Sequence, residues 1–187
     1  MFMRPRAFLL TVLSLILLAL LGRSGQAQQP QPTEYQLKAA FLFNFAKFIE
    51  WPTQAFTNKT SALVIGILGE NPFHDDLARM VQNKLVDEHP LKVMEIKEFH
   101  LPADMTNCHI LFVSNSEKER LPEILDALRG RPVLTVGESD NFIESGGMIR
   151  FFLEQTKIRF HINQDAATKS GLKISSKLMS LSSRPGS

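Results

Sequence analysis

The chain has 187 residues, with 21 Lys and Arg against 19 Asp and Glu, for a formal net charge of +2. This length suits one domain of ordinary size, and a single cysteine, Cys108, excludes an intramolecular disulfide, so an apolar core must hold the fold. So small a charge, with no basic stripe, is poor material for the counterion-driven binding of nucleic acid.

In chain order, Arg4 and Arg6 precede an unbroken apolar and small-residue run from Ala7 to Leu21, followed by Gly25 and Ala27 at the positions a signal peptidase reads. That is the three-part pattern of a cleavable secretory signal over residues 1–27. The alternative is an uncleaved anchor, for which the run is short, since a span needs about 20 residues. No cysteine stands near the cleavage site, so a lipoprotein is not expected. Removing Arg4, Arg6 and Arg23 leaves 18 basic and 19 acidic side chains, a net charge of −1. Cys108 is then a lone thiol in an exported protein, read as buried and inert or as an intermolecular bridge.

Residues 28–33, "QQPQPT", read as a mobile leader, and the domain proper as 34–183, with a tail at 184–187. Thr33 predicts an N-cap with Glu34 in the first turn. The helix runs from about Glu34 to Ile49 and stops before Pro52. Its segment "AAFLFNFAKFIEWP" carries four Phe and one Trp. At 100° per residue Leu37, Phe41, Leu42, Phe45, Phe48 and Ile49 form one core-facing stripe. Lys47 and Glu50 fall on the other side, and Phe43 falls with them. Phe43 is therefore either a single exposed aromatic or, beside Trp51, part of a contact patch.

"ALVIGILGE" (62–70) predicts a strand buried on both faces. Asn71 and Pro72 then predict the cap and first position of a helix reaching about Lys84. Leu91–Lys97 and His109–Ser114 read as strands. Ser116 and Glu119 predict a capping box for a helix from Glu117 to about Arg129, ended by Gly130. Pro132–Gly137 is the next strand. The alternation predicts an α/β fold: one domain, a mostly parallel sheet flanked by helices on both faces. The run "GGMIRFFLEQTKIRFHIN" predicts an antiparallel edge hairpin. Asn163 or Asp165 caps a short helix closed by Gly171, and a last amphipathic helix turns Leu172, Leu178 and Leu181 inward.

Catalytic constellations do not assemble. No Gly-x-Ser-x-Gly elbow exists, and Ser116 reads as a cap. The five His are scattered singly, and adjacent Cys108 and His109 would point to opposite faces of a strand. No metal, cofactor or catalytic residue is expected. "GILGENP" is neither a P-loop nor a dinucleotide fingerprint, although a helix N-terminus after a strand can hold an anion. In "KIRFHIN", Arg159 and His161 share the face opposite Ile158, Phe160 and Ile162, about 7 Å apart. They either grip one carboxylate or phosphate or form a solvated face, with Arg159 paired to an acid such as Glu154.

The ordered segments "KAAFLFNFAKFIEWP", "IGILGENPF", "CHILFVSNSE", "PVLTVGES", "GGMIRF", "IRFHIN" and "GLKISSKLMSL" closely resemble the YfiR family of exported bacterial proteins, from about Glu34 to Leu181. The resemblance implies a periplasmic α/β protein, often dimeric, that represses an inner-membrane diguanylate cyclase (a GGDEF protein) by contacting its periplasmic sensor domain. Cyclic di-GMP and biofilm formation would then fall. Some relatives carry disulfides tied to redox sensing; Cys108 alone cannot reproduce that switch. The alternative is a periplasmic module binding a small anion or nucleotide for a sensor or transporter, with Arg159 and His161 as ligands. The expected partner surface is the first helix with Phe43, Lys47 and Trp51, or the last helix with Leu178 and Met179.

Overall fold

The computed structural model describes residues 31–97 and 107–183. The expected signal segment 1–27 and the tail 184–187 lie outside them. Thr33 caps the first helix, α1 (Glu34–Phe48), as its sequence predicts. Its hydroxyl accepts the Gln36 N–H, and its own N–H donates to the Gln36 side chain. The chain then extends into β1 (Ile49–Glu50), followed by a 3₁₀ turn at Thr53–Ala55.

Seven strands form the main sheet: β2 (Leu63–Leu68), β3 (Leu85–Val86), β4 (His89–Ile96), β5 (Ile110–Val113), β6 (Leu134–Gly137), β7 (Ile149–Glu154) and β8 (Lys157–Ile162). Their spatial order is β3-β4-β2-β5-β6-β7-β8. The five from β4 to β7 run parallel, and β3 and β8 close the two edges antiparallel. The predicted edge hairpin is β7–β8, with Phe151 opposite Phe160. Between strands lie α2 (Asp76–Val81) and α3 (Leu121–Ala127); α4 (Gln164–Lys169), β9 (Lys173–Ile174) and α5 (Ser176–Leu181) complete the chain. β9 pairs antiparallel with β1, tying the end of the chain to the end of α1.

Alternation along the apolar strands divides them between two cores. Leu63, Ile65, Ile67, Ile110, Phe112, Leu134, Val136, Ile149 and Phe151 meet α1, α2, α4 and α5 on one face. Leu68, Leu111, Val113 and Val133 meet α3 and Phe142 on the other. Helices thus cover both faces, which is why these strands read as continuous hydrophobic runs.

Several local expectations are corrected. α2 begins at Asp76, not Pro72, because Asn71 accepts the Phe73 N–H in a local turn and His74 takes φ 49°. Ser116 makes no capping box: its hydroxyl accepts the Glu70 N–H across from the end of β2, and a 3₁₀ turn, Asn115–Arg120, precedes α3. On α1, Leu37 is 41% exposed and Lys38 is buried in its stead, because Lys38 reaches Glu138 at 2.7 Å. Leu181, expected inward, is 56% exposed.

Candidate interaction site

α1 presents a solvent-facing strip between two aromatic edges. At 100° per residue Ala40, Asn44 and Lys47 lie between Phe43 and Phe48. Lys47 is exposed, while both Phe are half-buried and pack on the main core. The Lys47 ammonium is 5.5 Å from the Phe43 ring centroid, and the Lys177 ammonium of α5 is 5.3 Å from that of Phe48. The Ser175 N–H donates to the Phe48 carbonyl at 3.0 Å, just before α5. The first and last helices are therefore neighbours, and the strip carries cations over aromatic rings. Met179 is half-buried. Leu178 is 2% exposed and belongs to the core, so it is not the surface contact its sequence suggested.

Trp51 is half-buried at the start of a second cluster. Its indole N–H donates to the His109 carbonyl at 3.2 Å. Phe56 is clamped between two imidazoles, His89 at 3.8 Å and His109 at 4.4 Å, both rings nearly parallel to it. His109 Nδ1 accepts the Val64 N–H at 3.1 Å, and Nε2 lies 3.0 Å from the Ala55 carbonyl. A carbonyl only accepts, so the proton is on Nε2 and the imidazole is neutral. Burial pushes its pKa down; the Ala55 bond opposes this and nearby His89 adds to it.

Arg159 and His161 share the outer face of β8, as alternation predicts, opposite Phe152 and Arg150 of β7. Arg159 pairs with Glu154 at 3.2 Å, the solvated pairing that the sequence allowed. His161 Nδ1 donates to the Ser183 carbonyl at 3.0 Å, and its ring stacks on Phe152 at 4.3 Å. Arg150 joins them: its guanidinium pairs with Asp140 and lies 5.9 Å from the Phe152 ring. Its Nε is buried and finds no partner among the described residues.

A family model described as YfiR/HmsC-like matches residues 35–183. The match takes in every strand of the main sheet and nearly all of α1, through to the end of α5. The chain belongs to the YfiR/HmsC-like family. The family is a regulatory one, acting with a partner protein in cyclic di-GMP signalling.

In this YfiR/HmsC-like chain two positions tested for chemistry serve structure. Cys108 is buried, with its thiol pushed up to about 12 by burial, and it fills the space above Gly66, where any side chain would overlap its sulfur. The turn after β2, whose following helix N-terminus could in principle have held an anion, is lined by Glu70, Glu95 and Glu117 with Lys97, and α2 starts too late to present its N-terminus there. The sequence reading missed the Trp51–Phe56–His89–His109 cluster. Its members come from three separated segments, and no spacing motif announces them.

Proposed function

We propose that this protein restrains a membrane-bound diguanylate cyclase through the cyclase's periplasmic sensor domain and so lowers cyclic di-GMP. The observation that carries this reading is the family match across residues 35–183. The α1–α5 strip supports it physically. Lys47 and Lys177 lie over Phe43 and Phe48, a surface suited to an apolar patch with an acidic rim. The reading takes residues 1–27 as a cleavable export signal, which would put the mature protein on the cyclase's sensor side.

Deleting the coding sequence raises cellular cyclic di-GMP and surface attachment, and a plasmid copy reverses both. Unchanged levels in the deletion strain would sink the reading. In the same cells, protein released by osmotic shock has its N-terminus near Gln28.

A second reading is favoured by the β7–β8 face, where Arg150, Arg159 and His161 surround Phe152 and one guanidinium nitrogen of Arg150 is buried without a partner among the described residues. A small anion or nucleotide bound there would exchange with Glu154 for Arg159. Titration of nucleotides against wild type and Arg159→Ala tests it: equal or absent affinity discards it.

A further inference from the structure

Beside the Phe56 clamp is a cleft of about 340 Å³ between the end of α1, the Trp51–Phe56 segment and the β3–β4 hairpin. This is the lower end of the range for small-molecule sites, about 300–1,000 Å³. Ala46, Ile49, Leu63 and Val86 give it apolar walls, and Trp51 and Phe56 add aromatic ones. The walls are preformed, because Phe56 is held on both faces by imidazoles and Trp51 is anchored through its indole nitrogen.

Its polar groups have one character. The indole N–H is already spent on the His109 carbonyl. His89 Nδ1 is 2.7 Å from the Ser61 carbonyl and must donate to it, so a ring carrying a single proton presents Nε2 as an acceptor. Glu50 and Asp87 line the mouth as carboxylates, which only accept. Lys173 lies 3.9 Å from Glu50, both side chains well exposed, and offsets part of that charge. Asp87, at the tip of the β3–β4 turn, is the principal negative group. Among the described side chains lining the cleft, only the Thr53 hydroxyl is also a free donor. Apolar walls with an accepting, negative mouth suit a ring that carries a cation, and such a cation near Trp51 also gains from the indole face. An anion would meet two carboxylates.

We propose that this cleft binds a small aromatic amine, with its ring between Trp51, Phe56 and the aliphatic wall and its ammonium at Asp87. The proposal uses neither the β7–β8 face nor the Phe43, Lys47, Phe48 and Lys177 side chains on which the docking strip rests, so its test stands apart from both.

Trp51 is the chain's single Trp, so its fluorescence reports occupancy directly. The mature protein is titrated near neutral pH with 2-phenylethylamine, 2-phenylethanol and phenylacetate. The amine is expected to shift Trp51 emission saturably, to bind roughly fivefold tighter than the alcohol, and to leave phenylacetate weakest. Asp87→Asn should bring the amine to the alcohol's affinity and leave the alcohol unchanged. Asn accepts the positive φ of 47° at this position, so that variant retains its fold, which its melting temperature verifies. Asp140→Asn, on the loop after β6, should bind like wild type. No saturable response, equal binding of all three compounds, or an amine affinity indifferent to Asp87→Asn would each overturn the assignment.

Discussion

His109 ties acid sensitivity to one tautomer. Its Nδ1 accepts a backbone N–H, so a second ring proton would displace the Val64 bond at the start of β2. Burial already holds the folded pKa below the ordinary value near 6.5. Stability from the neutral ring is therefore complete above about pH 6.5 and lost as pH falls through that value toward the folded pKa. His89 is the titratable group facing it and lowers it further; Glu50 and Asp87 stand at the mouth of the neighbouring cleft. Melting temperature is expected to fall on acidification below about pH 6.5, with a matching change in Trp51 emission. His109→Gln should flatten that dependence, and an unchanged slope would assign the sensitivity to another group. Lys38 behaves in the opposite sense. Burial would lower its pKa, but hydrogen bonds to Glu138 and Glu34 outweigh this and hold it above the usual value. Its contribution is therefore complete below the unfolded pKa near 10.4 and lost only as pH rises through the folded one. The Lys38 and Glu138 side chains are 4% and 10% exposed, and Tyr35 also donates to Glu138 at 3.2 Å. Lys38→Ala removes that carboxylate's buried cation and leaves it only the Tyr35 hydroxyl, and should cost about 3–5 kcal/mol in chemical denaturation. The double change Lys38→Met with Glu138→Leu should cost far less than the sum of the single ones.

At the scale of elements, the β3–β4 hairpin turns through Asp87 and Glu88, at φ 47° and 72°. Two positive φ values make the turn that normally takes Asn-Gly, and a side chain there is strained by about 1–2 kcal/mol. Glu88→Gly should raise stability by about 1 kcal/mol, measured by urea midpoint. The missing glycine is also why this hairpin was invisible in the sequence: "KLVDEHPL" carries no turn dipeptide, and β3 has two residues. By contrast, the parallel strands were legible because both faces are covered and selection of apolar residues is continuous along them. α1 was legible because Thr33 has only local work to do. Reading failed where a polar side chain serves a distant backbone or charge. Asn71 and Ser116 look like caps in isolation, yet the first closes its own turn and donates to Glu95 at 2.6 Å, and the second supports Glu70. Lys38 looks solvated until Glu138, one hundred positions away, is placed beside it. The Arg159–His161 face was legible because alternation alone fixes it. Its occupants Arg150 and Phe152 depend on the β7–β8 register, which no local spacing encodes.

At the scale of the whole molecule, the two ends of the domain converge on one surface. β1 pairs with β9, Ser175 bonds to the end of α1, and Lys177 covers Phe48. A partner docking on α1 therefore also meets α5, although more than one hundred residues separate the helices in sequence. With residues 1–27 removed the chain would carry a net charge of −1, and cations gathered at this strip would then form a local field against a weakly acidic background. Lys47 and Lys177 are exposed, and their contacts with Phe43 and Phe48 are each worth only about 0.5–1 kcal/mol to the fold. Lys47→Glu with Lys177→Glu should then leave the melting temperature within a few degrees of wild type, while setting like charges against an acidic rim. Under the proposed function, a deletion strain complemented with this double variant keeps the high cyclic di-GMP of the deletion itself. Lys92→Glu, equally exposed on β4, restores the low level, as wild type does. Full restraint by the double variant, at equal periplasmic abundance, would place the docking surface away from α1 and α5. The β7–β8 face, with its arginines and stacked His161, would then be the next surface to reverse in charge.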